Sequence, residues 1–297
     1  MCKNPSTVWR VALTPLTQLT HLTLLIMFAC VCCLGAPVRA AQAASSPSSS
    51  PSSSLSGAIT VSAAASLTDA FTELKALFEA ANPNTSLRLN FAASGPLLRQ
   101  IEMGAPVDVF ASADEVTMDK ASQAALIDDA HRITFTTNSL VLIAPAALSA
   151  TGAQATLPNI LASAYLTAAT TERIAIGNPD SVPAGRYAKA SLTSMSLWDE
   201  LAPKYVMGAN VRQVLDYVNR GEVEAGIVYL TDANLALKAH TAILVATLTG
   251  HPAVSYPIAP CKNPAASPEQ AALAQAFIDF VMSPQGQAVL ASYGFGG

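Results

Sequence analysis

Four places in the chain run from a strand pattern into a helix pattern through small side chains. "AITVSAAA" leads to Ser66, "LNFAA" to Ser94 in "SGPLLRQI", "IAIGNPDS" to Ala184 in "VPAGRYAKA", and "YVMGAN" to Val211 in "VRQVLDYV". A helix start exposes unpaired N–H groups and about half a positive charge, so the chemistry open to these junctions is the holding of an anion. Pro96 and Pro183 suit a first helical turn, which tolerates a missing N–H. Gly95 and Gly185 would let the backbone approach whatever is bound. Taken singly, each feature is ordinary. Ser66 with Asp69 three residues on has the form of a capping box, and Tyr229 at the end of "GIVY" is the kind of residue that fills a core. Only convergence of several such starts on one cleft would make a site, and spacing alone does not show convergence.

Other chemistries find little support. His131, His240 and His251 stand in no metal-ligand spacing. The sequence contains no GxSxG elbow, no GxxxxGK[ST] loop and no GxGxxG between a strand and a helix. An enzyme built on a two-lobed α/β cleft stays open as an alternative, because fold alone does not exclude one. Arg186 and Arg212 flank two of the junctions and are expected to be surface arginines of first helical turns.

The elements that must position these residues follow from periodicity. Strand-like runs occur at 58–62, 86–92, 107–112, 139–145, 173–177, 204–208, 225–230, 242–247 and 253–259. Between most of them lie helical patterns; in 66–81, Leu67, Ala70, Phe71, Leu74, Leu77, Phe78 and Ala81 form one apolar stripe. Two further helices are expected at 268–281 and 283–292. Such alternation predicts an α/β fold with mainly parallel sheets flanked by helices. The pattern breaks at 129–140 and again near 230–245, which predicts two crossings between lobes. The first lobe would hold 58–137 and 232–297, the second 138–231, with the ligand cleft between them.

The first fifth of the chain is of another kind. Lys3 and Arg10 precede the uncharged apolar run "LTLLIMFACVCCLG", and "APVRAAQA" offers cleavage after Ala40 or Ala43, so 1–43 is expected to be a secretory signal peptide. Residues 44–57, rich in Ser and Pro, are expected to form a disordered linker. Four of five cysteines lie in the leader, leaving Cys261 alone, and a lipid-modified leader cysteine ranks below plain cleavage. Loss of Lys3, Arg10 and Arg39 leaves 13 of the 16 basic residues against 20 acidic ones, a mature charge near −7. That disfavours nucleic acid as a partner.

From about residue 58 onward the chain resembles the periplasmic molybdate-binding proteins, receptors of molybdate ABC transporters. The resemblance is carried by "AAASLTDAF" (63–71), "FAASGPLLRQIEMGAPVDVFASAD" (91–114), "NSLVLIAP" (138–145), "GNPDSVPAGRYAK" (177–189), "GIVYLTDA" (226–233) and "SYGF" (292–295). It implies a two-lobed type II periplasmic binding protein that captures molybdate, and with it tungstate, and delivers it to a permease in the inner membrane. It also implies an exported, monomeric, non-enzymatic protein without a cofactor. Five oxyanion contacts are implied: hydroxyl and N–H from Ser66 and Ser94, backbone N–H from Ala184 and Val211, and the phenol of Tyr229. They would bond the oxygens, with no direct metal ligation. Gly95-Pro96 departs from the Ser-Ser or Ser-Thr of many members, and Cys261 falls in a variable strand. A donors-only set suits an unprotonated dianion; sulfate, which also needs donors only, is the alternative ligand, whereas hydrogen phosphate would call for a carboxylate, for which Asp69 and Asp180 are the nearest candidates.

Overall fold

The computed structural model describes residues 55–151 and 161–296. The apolar leader and nearly all of the Ser/Pro tract lie outside the described residues, so the expectations for them are not addressed by the fold. At the tract's end, however, Leu55 packs against the core and the first strand starts at Gly57, so the folded part begins inside the segment assigned to the linker.

The first sheet is built from β1 (Gly57–Ala64), β2 (Thr85–Ala92), β3 (Val109–Ala111) and β4 (Ile133–Asn138), with α1 (Thr68–Ala81), α2 (Ser94–Glu102) and α3 (Glu115–Gln123) between them. The chain then passes through Ser139 into β5 (Leu140–Pro145) of a second sheet. There follow α4 (Leu161–Thr167), β6 (Ile174–Gly177), α5 (Pro183–Ser194), β7 (Tyr205–Gly208), α6 (Val211–Asn219), β8 (Ala225–Tyr229), α7 (Leu230–Lys238) and β9 (Ala242–Thr247). Finally β10 (Val254–Pro260) returns to the first sheet, and α8 (Pro268–Met282) and α9 (Pro284–Ser292) close the chain. The strand orders are β2-β1-β3-β10-β4 and β7-β6-β8-β5-β9.

In each sheet one strand runs against the other four: β10 in the first, β5 in the second. These are the strands by which the chain enters or re-enters a sheet after crossing. Half of the pairings in each sheet are therefore antiparallel, fewer parallel ones than the alternating pattern suggested. The return crossing also differs from expectation. Residues 230–238 form helix α7, and β9 pairs with β5, so the second lobe runs to the end of β9 and not to 231. The apolar run 242–247 carries no mark of which sheet it will join, which is why the boundary was misplaced.

Burial follows the pattern. All six residues of β5 and all five of β8 are buried, as strands covered on both faces must be. The α1 stripe lays Phe71, Leu74 and Phe78 on the first sheet, where Phe71 and Phe78 meet Phe277 of α8 edge-on at 6.0 and 5.5 Å. Pro257 interrupts β10 without breaking it, because the register shifts between Tyr256 and Pro257 and a bulge absorbs the missing donor.

Candidate functional site

All five implied contact residues line one cavity. Ala64, Ala65 and Ser66 reach it from the end of β1, Ala93 and Ser94 from the end of β2, and Ala113 from beyond β3. Val182, Pro183 and Ala184 reach it from the junction after β6, Val211 from after β7, and Tyr229 from the end of β8. The carboxyl ends of three parallel strands from each sheet thus face one another, which is where open α/β sheets place their ligands. About 200 Å³ there is free of protein atoms. That suits a guest of a few heavy atoms. Among the described residues, no Asp, Glu, Lys, Arg or His lines it.

Three of the helix starts facing this space carry no side-chain cap. Ala93 before α2 and Val182 before α5 have no side chain able to cap, and neither has Ala64 before the 3-10 turn Ala65–Leu67 that carries Ser66. Away from the cavity the usual caps are present: Asp114 on α3, Ser267 in a full capping box on α8, and Ser283 on α9. Asn210 before α6 accepts from Gln213 N at 3.0 Å, which leaves the earlier amide of Val211 without an intrahelical partner.

The hydroxyls are arranged as donors. Ser94 Oγ, fully buried, accepts from Ala113 N at 3.0 Å and so keeps its proton for another acceptor. Ser66 Oγ lies 2.9 Å from the Tyr256 phenol oxygen. Burial drives the Tyr229 phenol well above its ordinary range, so it stays protonated. It donates to the Ala113 carbonyl at 3.4 Å, a long bond that a nearer acceptor can replace.

Several assignments from sequence change. Ser66 is not the cap of α1: the residue before that helix is Leu67, without a side-chain cap bond. Asp69, in the first turn of α1, makes no cap bond and pairs with Arg212 at 2.6 Å. Arg212 and Arg186 are not free surface residues but bridges between the lobes. Arg186 of α5 donates to Asp114 Oδ2 from Nε at 2.7 Å and to Thr117 Oγ1 at 2.6 Å, both in the first lobe. Arg212 of α6 holds Asp69, donates to the Ser66 carbonyl at 3.4 Å and forms an ion pair with the wholly buried Asp232 of its own lobe at 2.5 Å. Gly95 does not admit a ligand; its N–H donates to the Ser181 carbonyl of the opposite lobe at 3.1 Å, and an added Cβ would sit 2.5 Å from that oxygen. Gly185 likewise abuts Gly177 of β6. Asp180 sits in a turn, its N–H bonded to Asn178 Oδ1, and does not line the cavity.

Sequence reasoning missed Asp114, Asn138, Asp232 and Tyr256. The last reads as an ordinary strand aromatic, and nothing local sets it apart. Asp114, Asn138 and Asp232 stand inside three of the blocks that carry the family resemblance, a signal that could have found them.

A cleft between two α/β lobes, walled by uncharged donors from both, defines a solute receptor of the two-lobed binding-protein class. The bacterial extracellular solute-binding protein family matches over residues 59–296, and the chain belongs to that family. It is 37% identical over 239 residues to the molybdate-binding protein ModA of Escherichia coli K12, covering 80% of this chain and 89% of that protein. With ModA of Haemophilus influenzae it shares 33% identity over 237 residues, covering 80% and 89%. Among solved structures it resembles the periplasmic molybdate-binding protein of Azotobacter vinelandii, with a TM-score of 0.66, 22% identity and coverage of 80% and 98%, a likeness of fold. The family is one of receptors and not of enzymes.

Proposed function

We propose that this protein captures molybdate, and tungstate with it, outside the cytoplasmic membrane and presents it to the permease of an ABC transporter. The observation that carries the proposal is the set of uncapped helix starts and donor hydroxyls, gathered from both lobes around a cavity without ionised side chains. A tetrahedral dianion with four acceptor oxygens and no proton is the complement of such a wall. Neutral dipoles hold it because they are oriented beforehand and shielded from water. Ser66 and Ser94 would contribute hydroxyl and amide, Ala184 and Val211 amides, and Tyr229 its phenol. The ion is cargo and not a cofactor, and it bonds through oxygen alone. The two ModA relatives, each named as a molybdate-binding protein, support the choice of ion.

Because the contacts come from both lobes, the ion favours the closed form, and that form is what the permease would recognise. Export through the leader, release into the periplasm and action as a monomer belong to the same proposal. Calorimetric titration of the mature chain tests it. Molybdate and tungstate should bind at micromolar Kd or tighter, sulfate far more weakly, and phosphate not at all. Sulfate binding as tight as molybdate, or raising the melting temperature as much, overturns the choice of ion.

A further inference from the structure

Tyr256 does not line the cavity, yet it is wholly buried behind Ser66. Its ring is fixed by edge contacts to Phe135, Tyr229 and Phe295, with centroids 6.3, 5.7 and 5.5 Å away. Among the described residues, its phenol oxygen has two polar neighbours: Ser66 Oγ at 2.9 Å and Asn138 Nδ2 at 3.3 Å. The Asn138 amide can sit only one way round, because its Oδ1 accepts from Ser139 N at 2.9 Å while its Nδ2 also donates to Thr231 Oγ1 at 2.9 Å. The amide therefore donates to the phenol and cannot accept from it. The phenol proton is left with one acceptor, Ser66 Oγ, and the Ser66 proton is left with the cavity. Ser94 reaches the same state by accepting from the Ala113 amide.

We propose that Tyr256 is a positioning residue: held by Asn138, it donates to Ser66 Oγ and so commits the Ser66 hydroxyl to donating into the cavity. This rests on the reading of the cavity as an oxyanion site. Hydrogen bonds in such a chain polarise one another, so the Ser66 O–H meets a ligand oxygen as a stronger donor than an isolated serine would. Asn138 stands where the chain leaves the first sheet, and Thr231 two residues past Tyr229, so the chain of bonds also ties the ligand serine to the crossing between lobes.

The test is a double-mutant cycle read by calorimetric titration with molybdate. Tyr256→Phe, which removes one oxygen, should weaken binding about 3- to 10-fold, the net worth of one hydrogen bond. In a Ser66→Ala background the same change should alter Kd less than about twofold, because the group it acts through is gone. Asn138→Asp offers the phenol an acceptor in place of a donor and should weaken molybdate by a similar factor, again only while Ser66 is present. An unchanged Kd in Tyr256→Phe or Asn138→Asp overturns the proposal. So does an equal loss with and without Ser66, which would mark Tyr256 as packing alone. A wild-type chain that binds no molybdate removes the function reading and this inference together, whereas normal wild-type binding with a flat cycle removes only the inference.

Discussion

The guanidinium of Arg212, on α6 in the second lobe, holds the carboxylate of Asp69 in the first lobe at 2.6 Å, one residue beyond the Val211 amide that faces the cavity. Arg186 repeats the arrangement on α5, two residues past Ala184, with Asp114 as its partner at 2.6 Å. In the second lobe, each helix that would give a backbone donor to the ligand also sends a cation across the cleft. Closure and the proposed backbone contacts of the second lobe would thus share the same two helices.

The two bridges should differ in weight. Asp114 is nearly inaccessible, so Arg186→Ala strands a buried carboxylate and should weaken ligand binding by about 1–3 kcal/mol, roughly 5- to 100-fold. Asp69 is 40% exposed, and Asp69→Ala should cost about 0.5 kcal/mol, near twofold. Titration gives the two affinities, and small-angle scattering should show the ligand-free Arg186→Ala chain more extended than wild type.

Side-chain and backbone donors separate by mutation. Ser66→Ala should lose about 1.5–3 kcal/mol of molybdate binding, about 10- to 100-fold, since a hydrogen bond to a charged group disappears. Val211→Ala keeps its amide and should change Kd less than about threefold, as a partly collapsed packing loss would. Equal effects from both would contradict the assignment.

A methyl group at Gly95 tests closure without touching the ligand donors. Gly95→Ala places Cβ against the Ser181 carbonyl of the other lobe, and backbone on both sides leaves little room to yield. Each lobe should fold normally, while molybdate affinity falls about 10-fold or more, in keeping with about 1–3 kcal/mol for overpacking. A circular dichroism melt of the ligand-free chain within about 2 °C of wild type is the control.

Stability should carry the mark of Asp232. Burial raises its carboxyl from the ordinary 3.8 to about 6, although Arg212 opposes the rise. Between those values the folded chain keeps a proton that the unfolded chain has released. This group therefore makes the fold lose stability as pH climbs from about 4 to about 6. Asp232→Asn should match wild type in urea unfolding near pH 4 and gain on it by pH 7.

The α/β class, nine of the ten strands and the long α1 helix were legible because burial repeats at the period of each element. Four of the five contact residues stand inside the family blocks, while Val211 lies outside all of them. Their convergence needed coordinates, since a serine before a helix reads the same whether it caps that helix or serves a ligand. Ser66 shows the difficulty: its spacing to Asp69 fits a capping box, yet both side chains turn to partners 190 and 143 residues away. Pairings of that range leave no local trace. The same holds for β9, whose sheet is decided by β5, about a hundred residues upstream.

Alanine and valine at the head of a helix leave its first turn unfinished, and this fold repeats that omission at three of the turns that meet the central space. A bound dianion would supply the missing acceptors to several turns at once, so the guest serves as a structural part that the gene does not encode. Unloading then requires water to take over every one of those bonds, which it can do only with the halves parted. A transporter that pries the halves apart needs no separate device to evict the cargo.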